Sequence, residues 1–200
     1  MTNTTKHYWS GRYKEQRTGW DLGKASEPLT TYFDQLTNKD INILIPGAGN
    51  AYEAEYLFNN GFANVHILDI ASQPLEAFAK RNPTFPRNQL IEDDFFSFQG
   101  QFDLIIEQTF FCSFPPLAET RHSYAKKMHE LLEPNGKLVG LYFNMPLTGD
   151  LVKRPFGGTK SEYLDYLSPL FNIDTFERCY NSEEGREELF GIFRKKETPA

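Results

Sequence analysis

Cysteine is scarce in this chain: Cys112 and Cys179 are the only two. So few thiols exclude a disulfide scaffold and a zinc site built on paired cysteines. Basic charge is also short, with 21 Lys and Arg against 27 Asp and Glu and no cationic stripe, so no nucleic-acid partner is expected. No apolar run approaches the length of a membrane span, and Met1 to His7 contains no stretch of signal-peptide type. These absences predict a cytoplasmic protein in a reducing compartment, without a membrane partner. The four histidines (7, 66, 122 and 129) show no ligand spacing with cysteines or carboxylates, so no metal is expected. Two hundred residues suit one domain, 1–200, with an N-terminal segment to about residue 40 and a sheet core from 41.

What is present begins with Ile41-Asn42-Ile43-Leu44-Ile45-Pro46-Gly47-Ala48-Gly49-Asn50 and continues with Val65-His66-Ile67-Leu68-Asp69-Ile70. An apolar strand runs into a glycine turn, a helix follows, and a second strand ends on a carboxylate. Glycine at 47 and 49 permits the turn and leaves the main chain open to a ligand. Asp69, twenty positions after Gly49, can accept hydrogen bonds from both hydroxyls of a ribose. A dinucleotide site would favour a third glycine where Tyr52 stands, so that reading loses ground without being eliminated.

Beyond residue 40, strand and helix signals alternate, which predicts an α/β sandwich. Strands are expected at 41–46, 64–70, 89–91, 102–107 and 137–143. Helices are expected from Asn50 to Gly61, with Glu53 completing the start signal, from Ser72 to Arg81, and from Leu117 to Leu131. Glu133-Pro134-Asn135-Gly136 reads as a turn. Phe171 to Cys179 and Glu188 to Arg194 read as strands joined by the polar stretch 180–187, too short for a crossover helix. A hairpin follows, and with it one antiparallel strand in a mixed sheet.

Both tryptophans lie before the first strand, with Tyr8 and Tyr13, in a stretch that is otherwise polar. That placement predicts an aromatic lid over the glycine-turn end of the sheet, where ring faces would suit a sulfonium cation. Arg12 could draw in an anionic acceptor, whereas Lys153 and Arg154 read as solvated surface charge. Cys112 lacks a partner and reads as buried packing.

Together these strings resemble the class I S-adenosylmethionine-dependent methyltransferases, and more narrowly the thiopurine S-methyltransferase family in its thiol and halide branch. The resemblance rests on Trp9, Tyr13 and Gly19-Trp20-Asp21-Leu22-Gly23, on Pro46 to Gly49 with Leu68-Asp69-Ile70, and on Asp93-Asp94-Phe95-Phe96. The string Phe102 to Cys112 completes it. It implies a Rossmann-like sandwich with a seven-stranded mixed sheet in the order 3-2-1-4-5-7-6, strand 7 antiparallel. It implies S-adenosylmethionine as cofactor, S-adenosylhomocysteine as product and a small-molecule acceptor, in a monomer or weak homodimer.

By the same resemblance, Gly47, Ala48 and Gly49 approach the methionine part of the cofactor, and Asp69 with Ile70 meets the ribose. Asp94 and Phe95 flank the adenine, Glu107 and Gln108 face the amino-acid end or the methyl path, and Trp9, Tyr13 and Trp20 close over it. Phe110, Phe111, Tyr142 and Phe143, at adjacent strand ends, are candidate walls of the acceptor chamber. Two positions depart from the family pattern. Phe156-Gly157-Gly158-Thr159-Lys160 replaces a glycine-glycine-proline loop, and Glu183 stands two before Gly185 where an arginine is usual. The acceptor therefore stays open, and so does a binding protein without turnover.

Overall fold

Along each central strand, successive apolar side chains enter two different hydrophobic clusters, and this alternation builds the fold. The computed structural model describes residues 2–197, with side chains from residue 5 onward, so positions 1 and 198–200 of the expected domain lie outside the described residues. The strands are β1 (Ile43–Pro46), β2 (Val65–Asp69), β3 (Leu90–Glu92), β4 (Phe102–Gln108), β5 (Leu132–Phe143), β6 (Phe171–Arg178) and β7 (Glu188–Lys195). They form one sheet in the order β3-β2-β1-β4-β5-β7-β6. Strands β1 to β5 pair in parallel, and β7 runs antiparallel to both β5 and β6. Order and polarity are those the resemblance implied.

Helices α1 (Thr2–Lys14), α2 (Glu27–Phe33), α3 (Tyr52–Asn59), α4 (Ser72–Arg81), α5 (Ala118–Glu130) and α6 (Lys160–Leu167) complete the described chain. Ile43, Ile45, Ile67 and Ile106 pack with Leu29, Leu57 and Phe78 of α2, α3 and α4. Leu44, Leu68 and Ile105 join the other cluster, with Tyr124 and Met128 of α5 and Leu167 of α6. Both faces of the parallel strands are thus covered, which is why β1 reads as an unbroken apolar run.

Three local expectations are corrected. Helix α3 starts at Tyr52 rather than Asn50, because Ala51 adopts a left-handed conformation (φ +56°) and its N–H donates to the Ala48 carbonyl, prolonging the glycine turn. Glu53 does not cap its own helix. Its buried carboxylate accepts the Ser26 N–H at 2.9 Å and anchors the segment leading into α2. The stretch Glu133 to Gly136 lies inside β5, where the pairing with β4 jumps from Phe102↔Leu132 to Leu104↔Lys137 and Asn135 takes φ +63°.

Helix α6 was not expected, although its start is legible. Thr159 and Glu162 form a reciprocal capping box, with Glu162 Oε2 accepting the Thr159 N–H at 2.7 Å. Replacing Thr159 with Ala should lower unfolding stability by about 1 kcal/mol in urea titrations. A loss near zero would show that packing of Tyr163 and Leu167 alone sets the helix start.

Candidate functional site

The parallel register brings the ends of β1 and β2 side by side, Pro46 opposite Leu68. Beyond Pro46 the chain turns through Gly47 (φ +58°) and Gly49 (φ +54°). The turn is tied to β2: the Ala48 N–H donates to the Leu68 carbonyl at 3.2 Å, and the Gly49 N–H to Asp69 Oδ2 at 3.0 Å. Asp69 Oδ1 accepts the Ala71 N–H at 2.9 Å. Burial pushes this carboxyl up to about 6, against the opposing pull of the Ala71, Gly49 and Ile70 N–H groups.

In front of this turn lies a cavity of about 320 Å³. Gly47, Asp69 and Ile70 form one side of it, Asp94 and Phe95 another, and Trp9, Tyr13 and Trp20 a third. A smaller cavity of about 50 Å³ lies behind the turn, against Ala48, Gly49, Asp21, Glu53 and Gln108. Trp20, Gly47 and Thr109 line both. Nearly all the cofactor candidates named above therefore meet at one end of the sheet. Thr109 was not among them. It carries a β-branched side chain at φ +55°, a conformation that such residues rarely adopt outside constrained sites.

The N-terminal segment covers this end. Trp9 and Trp20 meet edge to face at 5.4 Å, and Tyr13 and Trp20 at 5.8 Å. A side chain at position 49 would lie 3.0 Å from the Tyr13 hydroxyl, a tight approach, so the glycine that the turn requires also leaves room for the lid. Arg186 Nη2 donates to the Trp20 carbonyl at 2.8 Å and ties the lid to the β6–β7 hairpin. It stands one residue after Gly185, close to where the family arginine was missed. Arg12 is not on the cavity wall; its guanidinium stacks on Trp20 at 5.4 Å.

Glu107 departs from expectation. It lines neither cavity and is fully buried, sharing the face of β4 with Ile105 rather than pointing forward. Its Oε1 accepts the N–H groups of Phe110 at 2.6 Å and Phe111 at 2.9 Å, while Oε2 has no hydrogen-bond partner among the described residues. The opposite residue is Gly140, where a side chain would come within 2.5 Å of the Glu107 Cβ. Desolvation pushes the Glu107 carboxyl up to about 8, with the two N–H donors opposing.

Of the acceptor-chamber candidates, Phe110 is on the cavity wall, its ring over Gly47. Phe111 and Tyr142 are buried in the core instead, packed around Tyr163, and Phe143 faces Arg186 at 5.7 Å. Cys112 is buried as expected, its thiol pushed well up by burial. Arg154, expected at the solvated surface, lines the cavity.

The model of the thiopurine S-methyltransferase family matches residues 4–200. This chain belongs to that family. It is an S-adenosylmethionine-dependent S-methyltransferase. A probable thiol methyltransferase 2 of Arabidopsis thaliana is 29% identical over 99% of this chain and 89% of its own length. A thiocyanate methyltransferase 1 of Brassica oleracea is 29% identical over 90% of this chain and 82% of its own. Among solved folds, magnesium protoporphyrin IX methyltransferase from Synechocystis with bound S-adenosylhomocysteine superimposes with a TM-score of 0.75 at 12% identity, covering 98% of this chain and 99% of that one. Family membership removes the dinucleotide reading left open by the glycine turn.

Because Glu107 holds a proton in the native state up to about pH 8 but would lose it near 4.5 when unfolded, stability should fall as pH rises through that window, by at most ~1.4 kcal/mol per pH unit. Glu107→Gln keeps an oxygen for the Phe110 and Phe111 N–H groups and removes the titration. Its urea stability should therefore vary less between pH 5 and 8 and exceed that of the parent at pH 8. Parallel pH profiles would place the charge elsewhere.

Proposed function

We propose that this S-methyltransferase transfers a methyl group to a small soft nucleophile, a thiolate first among them, inside the larger cavity. The observation that carries the reading is the buried strand-tip carboxylate Asp69 on a cavity that is also lined by Trp9, Trp20, Phe95, Phe110 and Phe114. The names of the Arabidopsis and Brassica relatives, a thiol and a thiocyanate methyltransferase, point to the same class of acceptor.

The residues present fit the cofactor. Asp69 retains lone pairs beyond its two backbone bonds and would hold the ribose hydroxyls, with Ile70 beside it. Asp94, one oxygen of which accepts the Phe96 N–H at 2.9 Å, would take the adenine amino group on the other, and Phe95 would pack on the ring. The smaller cavity, with Ala48, Gly49 and Gln108, would receive the amino-acid end. A side chain at Gly47 would come within 2.0 Å of the Phe110 ring, so the turn and Phe110 already share a space that admits no further atoms from the protein. Trp9, Tyr13 and Trp20 would close the site.

When bound, the cofactor supplies an electrophilic methyl on a sulfonium; the thiolate's electron pair forms the new S–C bond, and the pair of the broken bond stays on S-adenosylhomocysteine. The protein's part is alignment and exclusion of water. Opposite charges are neutralised in that step, so an aromatic chamber that strips water from the anion favours it. Phe110 and Phe114, joined edge to face at 4.9 Å, and Trp9 provide such walls. No side chain need act as a base for an acceptor that arrives ionised. Halides, hydrosulfide, thiopurines and selenium or tellurium anions share this electronic character and belong to the same proposal.

The reading is tested by calorimetric titration with S-adenosylhomocysteine and by turnover of hydrosulfide, small thiols, thiocyanate, iodide and thiopurines. Asp69→Ala should weaken S-adenosylhomocysteine by about 1 to 3 kcal/mol. In the parent, affinity should decline as pH drops below about 6, where Asp69 takes up its proton. Unchanged affinity in the variant would mean that the ribose is held elsewhere, and tight binding without turnover of any acceptor would favour a non-catalytic role.

A further inference from the structure

Charge in the larger cavity is unevenly distributed. Asp69, Asp93 and Asp94 contribute three carboxylates, whereas among the described residues Arg154 is the single lysine or arginine on the wall. Arg154 comes from the segment between β5 and α6, and its position is fixed from two sides. Its Nε donates to the Ser113 carbonyl at 2.8 Å. Its guanidinium carbon lies 4.8 Å from the ring centre of Tyr8, 5.2 Å from that of Phe156 and 5.7 Å from that of Trp9. Anchored in this way, the side chain has already given up its rotational freedom.

Arg81, Arg186 and Arg194 each pair with a carboxylate, and among the described residues none lies within 4.0 Å of the Arg154 guanidinium. A planar cation held among aromatic rings, with its terminal amino groups free of any carboxylate, is suited to bidentate recognition of an oxyanion from a ligand. That oxyanion is not the reacting atom. Pairing the nucleophile itself with a guanidinium would stabilise the ground state and lower its reactivity, so the anion that Arg154 meets belongs on a spectator position of the acceptor.

We propose that Arg154 is a specificity-determining residue that favours, among thiol acceptors, those carrying a carboxylate on a position remote from the sulfur. The flat walls provided by Trp9, Phe96 and Phe114 suit an aromatic body. This inference rests on the thiolate-acceptor reading given above and narrows it to one substrate class.

The test compares 4-mercaptobenzoate with 4-mercaptobenzamide, which match in shape and differ in charge, as acceptors for the parent enzyme, Arg154→Gln and Arg154→Lys. The parent should show the higher kcat/KM for the carboxylate, and Arg154→Gln should reduce the ratio between the two acceptors ~10-fold or more. Arg154→Lys should keep part of the preference, because the charge remains while the planar fork is lost. A merely structural role would lower both acceptors together and leave the ratio intact. Binding of the product analogue 4-(methylthio)benzoate, measured calorimetrically with S-adenosylhomocysteine present, should weaken in Arg154→Gln in parallel with the ratio.

No preference in the parent, or a ratio unchanged in Arg154→Gln, would overturn the role of Arg154 while leaving thiol methylation standing. Failure of the parent to methylate either thiol while binding S-adenosylhomocysteine would overturn the thiolate reading and this inference with it.

Discussion

The carboxylate of Asp69 is the point on which the rest of the site depends. It accepts one N–H from the glycine turn after β1 and one from the residue that precedes α4, so the ends of two adjacent strands and the start of a helix are held by one buried group. Its desolvation is costly, and the raised proton affinity reflects that cost. The backbone N–H groups of Gly49, Ile70 and Ala71 offset part of it, and the side chain still lines the cavity. A cavity assembled in this way has its carboxylate held in place by the fold itself.

The same device is repeated two strands further along the sheet, with the opposite outcome. At the end of β4, Glu107 also accepts two backbone N–H groups, from Phe110 and Phe111, but it is sealed beneath the turn that it holds. One carboxylate is open to the cavity and the other is structural. What differs is the face on which each side chain leaves its strand: Glu107 follows Ile105 into the cluster that contains Tyr124 and Tyr142. Gly140 makes this possible by leaving its own position empty of side chain. By fixing Phe110, Glu107 shapes the cavity without touching it.

The aromatic lid depends on cations for its position. Arg12 stacks on Trp20, Arg186 donates to the Trp20 carbonyl, and Arg154 packs against Tyr8 and Trp9. Arg12 belongs to the lid itself, whereas Arg186 and Arg154 come from the hairpin and the segment before α6, so the lid is clamped by two elements distant in sequence. Each combines a planar charge with a ring or a carbonyl, contacts that tolerate a partly wet environment better than a purely apolar seam would.

Local pattern was sufficient for the seven strands and for the helices between the first five of them, because a strand buried on both faces and a glycine turn before a helix leave direct traces in residue type. The pocket residues Gly47, Asp69, Trp9 and Trp20 were legible for the same reason, each sitting in a short string whose chemistry is local, whereas Asp94 and Phe95 were reached through the family resemblance. The capping box of α6 was also there to be read. Glu107 and Arg154 were not legible in the same way. Whether a carboxylate at a strand tip faces a ligand or folds under the next turn is decided by what packs opposite it, here Gly140 and the Phe110–Phe111 backbone. Whether an arginine in a polar loop is solvated or lines a cavity is decided by which distant aromatics the fold brings to it. The sequence by itself determined the strands, the glycine turn and the carboxylate that follows the second strand; only the tertiary structure decided which of the remaining charges are buried, because burial depends on neighbours far away along the chain.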